Sequence, residues 1–428
     1  MRRPTPPGAD APTGCYGSWV AWIVRVATPQ RMRVYTGLMA APMLCGLAWN
    51  YARGSGLLDG SGNVIGGDFL AFYTGARLFL AGRLAESYQA GDRFDFPAQV
   101  AFQQELLAPQ RPTGVDAFVN PPHAVLFYLP FAGSSYAVGL ALWWTAGLAA
   151  LALSIGLLRR ELPALRAVPA WRLFAACWLF LPTWAWFGYG QATALILLVC
   201  TGFFVLLRRG RDGWAGACLS CLAFKPQLAV ASALLLLARG RWRALAAGAG
   251  GAAAWLAVGY ALAPDAARAY LALVPRLGAM LRVQGYDTSG VQSFFGFAAL
   301  LLDASSARAA DLLGAALVLG ALGWLAWRWW RTPWRPGTSR WDRMIAATFA
   351  IGWLASPQLY LYDLMLLLLP FAIVWSHSPP GAPLGGGPVL AWTAVVWLLA
   401  FLGTPLARVQ LYLSSAISVG PFAVQLAT

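Results

Sequence analysis

Thirty of the 31 basic residues are arginine, and the one lysine, Lys225, stands in Cys221-Leu222-Ala223-Phe224-Lys225-Pro226-Gln227. An ammonium is a compact point charge suited to a phosphate oxygen. The same side chain can also lie along apolar surface with its head in water, and the residues alone leave both readings open. Asp68 follows two glycines in Gly66-Gly67-Asp68-Phe69. A carboxylate there can cap a helix or, held at a membrane surface, act as a general base. Gln191, directly after Gly188-Tyr189-Gly190, is either a wet turn residue or a hydrogen-bond donor into a site. Asp363 opens an apolar stretch, where a helix cap is the default. His123, in Asn120-Pro121-Pro122-His123, reads most simply as a satisfied interfacial histidine, and Asp92 and Asp95, three apart in a polar segment, as a solvated face. Cys218 and Cys221 form a C-x-x-C inside an apolar run, where small packing residues are the simpler interpretation. No residue set suggests a metal or a cofactor.

These groups must be positioned by a chain that no aqueous core could bury. Hydrophobic residues make up 59% of the 428 positions and charged residues 11%, against roughly 25% charged in a soluble domain. Uncharged runs such as Val34–Tyr51, Leu140–Leu158 and Leu312–Trp327 approach the ~20 residues that a helix needs to cross a bilayer. Tryptophans gather at run ends, for example Trp327, Trp329, Trp330 and Trp334, where interfacial aromatic belts sit. The net charge of +15 is broken into short arginine clusters between apolar runs. That pattern marks cytoplasmic loops and offers no continuous basic face for nucleic acid. The expected architecture is an all-α polytopic membrane protein of about 10–12 transmembrane or half-length helices.

Placing the arginine clusters inside yields a topology. Residues 1–33 form a cytoplasmic N-terminal segment and residues 34–428 a single transmembrane domain. A first span at about 34–52 leads to a long outer loop, about 53–135, that carries interfacial helices. Further spans are expected at about 136–158, 170–187, 191–207, 243–262 and 308–329, with a second outer loop at about 263–306. Two stretches, 213–238 and about 344–376, are too short to cross twice as full helices. Each reads as a hairpin of half-helices, the first broken at Lys225-Pro226 because proline interrupts helix hydrogen bonding. Non-helical backbone at membrane depth is tolerated only where protein or a watery cavity surrounds it, which puts Lys225 in a cavity. Two last spans are expected at about 388–403 and 410–427. By this count 20 of the 31 basic residues face the cytoplasm. P-loop, dinucleotide-turn, H-E-x-x-H and nucleophile-elbow motifs are missing from the sequence, and so are the matched halves of inverted-repeat transporters.

A set of short motifs then resembles glycosyltransferase family 87, of the GT-C superfamily. In order they are Gly67-Asp68-Phe69, Tyr73, Ala76-Arg77, Gly82 and Tyr88; Pro121-Pro122 with the Ala141–Trp144 run; Gly190-Gln191; Ala215-Gly216 with Lys225-Pro226-Gln227; Gln292-Ser293; and Ser356-Pro357 with Tyr362-Asp363-Leu364. The likeness runs from about residue 35 to residue 376.

The resemblance implies a GT-C-like enzyme that inverts at the anomeric carbon and takes a hexose, mannose in the family, from a polyprenyl-phosphate donor. It implies a plasma membrane of bacterial type and an active site facing away from the cytoplasm, with a lipid or glycan of the cell envelope as acceptor. The family's base maps to Asp68. Lys225 is then placed for the donor phosphate, with Gln227, Gln191, Arg77 and Asp363 as further donor contacts. Many relatives carry histidine shortly after Ser-Pro, where this chain has Tyr360-Leu361-Tyr362-Asp363; the resemblance therefore leaves the donor sugar and the acceptor open. A multi-span transporter or lipid flippase is the alternative, since it too would use charged residues in broken helices.

Overall fold

The computed structural model describes residues 29–92, 94–110, 116–280, 290–302 and 306–377. The expected spans at about 388–403 and 410–427, and residues 1–28 of the expected N-terminal segment, lie outside them. Every regular element among the described residues is a helix. Helix α1 (Pro29–Ala52) begins a few residues before the expected first span. Helices α2 (Gly67–Leu80), α3 (Pro97–Leu107) and α4 (Val125–Ala132) follow in the expected outer loop. Helix α5 (Tyr136–Glu161) runs to Arg159 and Arg160 and stops before Pro163, which cannot continue it.

The expected single span at about 170–187 is instead two nine-residue helices, α6 (Ala170–Trp178) and α7 (Leu181–Tyr189). Phe180 between them is extended, and Pro182 enters at the start of α7, where its missing N–H costs nothing. Helix α8 (Thr193–Arg208) returns to the arginine clusters. The stretch 213–238 divides as its lysine-proline pair requires: α9 (Asp212–Ser220) and α10 (Val230–Ala238) flank two short 3₁₀ turns, with Lys225 between them. Helices α11 (Trp242–Leu262), α12 (Pro264–Leu273), α13 (Phe294–Leu302) and α14 (Ala307–Arg331) follow. Helix α15 (Ser339–Leu354), a 3₁₀ stretch (Leu361–Leu367) and α16 (Leu368–Ser376) form the second hairpin.

Among the described residues, α5, α11 and α14 are long and apolar enough to cross a bilayer; α1, though 24 residues long, is not one of these. Shorter apolar helical segments include α8 and residues 361–376. This is an all-α polytopic membrane fold in which broken helices bring backbone turns inside the bundle.

The arginine clusters meet at one end of the bundle. Arg208 donates to the Glu161 carbonyl at 3.0 Å and pairs with the fully buried Asp342 at 3.5 Å, which also meets His377 Nε2 at 2.6 Å. Arg209 pairs with Glu161, and Arg241 pairs with Asp212 while its guanidinium lies over the Trp334 ring. Arg239 donates to the Trp329 and Trp330 carbonyls at 3.3 Å. Loops far apart in sequence thus share one face, as a single arginine-rich membrane side requires.

At the other end the start of α2 docks on the end of α7. Gly190 closes α7 with φ 67°, in the left-handed region. The Gly66 N–H donates to the Gly188 carbonyl at 3.0 Å. Tyr136 Oη, from α5, donates to the Ile65 and Gly66 carbonyls at 2.8 and 2.9 Å. Two indoles of α5 hold the turn from behind: Trp143 Nε1 donates to Gly190 O at 2.7 Å and Trp144 Nε1 to Phe187 O at 2.8 Å. The Gly188 carbonyl lies in the last turn of α7, whose carbonyls a helix end leaves without an internal partner.

A Cβ added at Gly190 would lie 2.8 Å from the Phe69 Cβ, whereas one at Gly82, also left-handed at φ 71°, would meet nothing within 4 Å. Gly82→Ala should therefore lose only the backbone strain of about 1 kcal/mol. Gly190→Ala should lose that and the packing of α2 as well. The check is the melting temperature of both variants in detergent, and equal losses would mean that this packing is slack.

Candidate active site

Asp68 is the second residue of α2, and the cap position belongs to Gly66, so the carboxylate is not used as a helix cap. Its Oδ2 is shut off from solvent and has no hydrogen-bond partner among the described residues. Gln191, one residue past the Gly190 turn, gives its Oε1 to the Ala192 N–H at 2.9 Å, which leaves the amide nitrogen free to turn inward. Gln191 hydrogen-bonds both Asp68 and Tyr362. The docking of α2 on α7 is what places these two sequence-distant residues together.

Lys225 approaches from the break between α9 and α10, with its Nζ 3.8 Å from Asp363 Oδ1 and 6.0 Å from the centre of the Tyr362 ring. Asp363 is held on three sides. Its Oδ1 also accepts from Thr193 Oγ1 at 3.3 Å, and its Oδ2 accepts from the Tyr360 N–H at 3.3 Å, the side-chain half of a capping box. The cap and the ion pair therefore coexist in one carboxylate. Tyr362 stacks on Tyr360 at 5.6 Å and meets Tyr189 at 5.5 Å, so a tyrosine wall borders the lysine. The outer segment that follows α12 docks here too, through Gln292 N–H to Leu359 O at 2.5 Å.

The charges act on Asp68 in opposite senses. Burial first, and the Asp116 carboxylate second, push it up to about 8, against the pull of Lys225 and the Gln191 hydrogen bond. Asp363 adds a smaller push. Tyr128, from α4, lies within reach of that charge, stacked on Phe72 at 4.3 Å and with its hydroxyl unpartnered among the described residues. A carboxylate that holds protons this readily at neutral pH is suited to accept one from an alcohol, since a catalytic base works best near the operating pH.

Not every expected residue joins the cluster. Arg77 is exposed and donates to the Ala132 carbonyl at 3.3 Å. It stands nine residues along α2 from Asp68, about 13 Å down the helix axis. Gln227 is partly buried on the turn after Lys225 and makes no side-chain hydrogen bond among the described residues. His123 is buried beside the Lys225 turn, where its ring bonds the Ala223 backbone and lies 6.4 Å from Trp255. Cys218 packs with its Sγ donating to Val199 O at 3.3 Å, as a small packing residue does. Asp116, Thr193 and Tyr128 join this cluster, and the sequence did not single them out. Only the abundance of acids in the outer segment hinted at the first. Among the described residues no three His, Cys, Asp or Glu side chains come together to hold a metal ion.

No curated protein and no solved structure matches the chain. The model of glycosyltransferase family 87 does, over residues 118–357. That stretch holds Gln191, Thr193, Lys225 and Gln227; Asp68, Asp116 and Asp363 flank it. It covers more than half of the 428 residues, and with it the broken α9–α10 hairpin and the α7 turn on which the cluster is built: the chain belongs to glycosyltransferase family 87.

Proposed function

We propose that this glycosyltransferase moves a hexose, mannose by its resemblance to the family, from a polyprenyl-phosphate carrier to a hydroxyl of a lipid or glycan of the cell envelope, on the side of the membrane away from the cytoplasm. The observation that carries the proposal is a raised carboxylate, its Oδ2 without a partner among the described residues, within the field of the chain's one lysine. Asp68 takes the acceptor's hydroxyl proton. The freed oxygen pair attacks the anomeric carbon as the bond from that carbon to the phosphate oxygen breaks on the opposite face. The bonding pair leaves on the phosphate, and the anomeric configuration inverts. Lys225 balances the charge that grows on the leaving phosphate, the kind of electrostatic help that counts most in a dry site. Gln191 orients Asp68, and Asp363 holds the lysine until the phosphate competes for it. The apolar carrier would lie along lipid-facing helix surface.

Asp68→Asn preserves size and removes the base. It should lower transfer at least ~100-fold while binding of polyprenyl phosphomannose persists. In the unsubstituted enzyme kcat/KM should rise with pH through about 8, because the reactive form is the deprotonated one and its carboxyl is raised that far. Near-normal turnover in Asp68→Asn would exclude Asp68 as base.

Lys225→Ala should weaken both donor binding and turnover, and Lys225→Arg should restore them only in part, since a planar guanidinium does not replace a point charge. Donor binding by equilibrium titration in detergent measures this. Unaltered affinity in Lys225→Ala would mean that the lysine does not touch the phosphate.

Membrane sidedness is tested by a single cysteine at the exposed Ser61 in a cysteine-free chain. A membrane-impermeant maleimide should label it from the outside of intact cells. Labelling only after the cytoplasmic face is opened would reverse the assignment.

A further inference from the structure

Asp116 has a built position. A Cβ at Gly67 would lie 2.4 Å from Asp116 Oδ2, so this carboxylate occupies the space that any other residue at position 67 would fill, next in sequence to Asp68. The backbone that carries it is clamped by two buried glutamines of α3. Gln103 Nε2 donates to the Asp116 carbonyl at 2.8 Å and to Thr74 Oγ1, on α2, at 3.1 Å. Gln99 accepts from the Phe118 N–H at 2.7 Å and donates to the Phe118 carbonyl at 3.1 Å. Phe118, fully buried, closes the clamp against α2, where a Cβ at Gly75 would meet its ring at 2.6 Å. The loop that bears Asp116 is thus pinned against the helix that bears Asp68, through the Asp116 carbonyl and through Phe118.

A lysine that serves the phosphate also draws the proton off a neighbouring carboxylate and so makes it a weaker base. The groups that face Asp68 are Gln191 after α7, Lys225 from the α9–α10 break, Asp363 and Tyr362 from the 3₁₀ stretch, Tyr128 of α4, Tyr136 of α5, and Asp116. Asp363 is already committed to Lys225, Thr193 and the Tyr360 N–H. Asp116 has no ion pair or side-chain hydrogen bond among the described residues, and burial pushes its own carboxyl up as well. We propose that Asp116 is the second carboxylate of the site, held against the Gly67 backbone to oppose the draw of Lys225 on Asp68 and keep Asp68 proton-accepting. The proposal rests on the assignment of Asp68 as base. It makes Asp116 a positioning residue that acts through charge and does not touch the reacting atoms.

Its effect on Asp68 can be measured without substrate. A neutral carbodiimide modifies protonated buried carboxyls, and mass spectrometry of the peptide that contains Asp68 gives the labelled fraction. In the unsubstituted protein labelling should fall as pH rises, with a midpoint near 8. Asp116→Asn should move the midpoint down by about one pH unit or more, the scale of like-charge coupling between close carboxylates, whereas Asp116→Glu should leave it close to its original value. Gly67→Ala, which leaves every charge in the chain and pushes the Asp116 carboxylate away, should also lower it, and it tests the same point should Asp116→Asn fail to fold. A midpoint unmoved in Asp116→Asn or in Gly67→Ala overturns the proposal, as does an equal fall in Asp116→Glu. Transfer by Asp68→Asn, followed as polyprenyl phosphate released from polyprenyl phosphomannose with an envelope lipid extract as acceptor, separates the two assignments. Persisting turnover with the expected midpoint shifts removes Asp68 as base while Asp116 still controls its protonation. Lost turnover with unmoved midpoints keeps the base and removes the role of Asp116.

Discussion

One hydrogen bond, from the Gly66 N–H to the Gly188 carbonyl, joins the two halves of the site. Asp68 lies just past its donor, and Gln191 just past its acceptor. The approach of two backbones at this point requires Gly190 to lack a side chain and to take a left-handed conformation. Trp143, Trp144 and Tyr136 answer the exposed carbonyls around it, so one helix, α5, supports both partners. A polar turn enclosed by aromatic donors is a stable arrangement in an apolar bundle, because each unsatisfied backbone group there would cost several kcal/mol.

Around that joint the site is a balance of charges. In the proposed reaction the cation at Lys225 receives a phosphate, yet it lowers the basicity of any carboxylate near enough to take part in the same transfer. The chain surrounds the lysine with two acids of different standing. Asp363 is tied down by a backbone N–H and a threonine and meets the lysine directly; Asp116 lies against Gly67, next in sequence to Asp68. Proximity to one charge and distance from another set Asp68 where it is, with burial as the largest influence.

Much of this was legible in the residues. The lone lysine beside a proline announced a broken helix, since proline cannot donate to the helix ladder and a lysine has no place in lipid. The arginine clusters foretold a shared face, and Arg208, Arg209, Arg239 and Arg241 do meet at one end of the bundle. The motif order foretold the family. The break at Phe180 was not legible, because Pro182 sits inside an otherwise continuous apolar run and only the extended Phe180 shows that the helix restarts there. Arg77 was misleading: it shares a helix with Asp68 but faces out, which periodicity over nine residues does not reveal without knowing the docked face. Asp116 was hidden among the other acids of the outer segment. Its significance lies in contact with a glycine 49 positions earlier, and no local pattern records such a contact.

The 3.8 Å pairing of Lys225 with Asp363 has a consequence for selectivity among anions. A lysine already half-answered by a fixed carboxylate offers little to a small free anion, which would have to displace Asp363 with nothing else to gain. A ligand that also brings a long apolar tail can draw on transfer of hydrocarbon from water, at roughly 0.8 kcal/mol per methylene, to offset that displacement. In the proposed reaction the same carboxylate stands ready to reclaim the ammonium once the sugar has left. The spent carrier is then held by its tail more than by its charge, and it can slide back into the bilayer sideways with its phosphate still ionised.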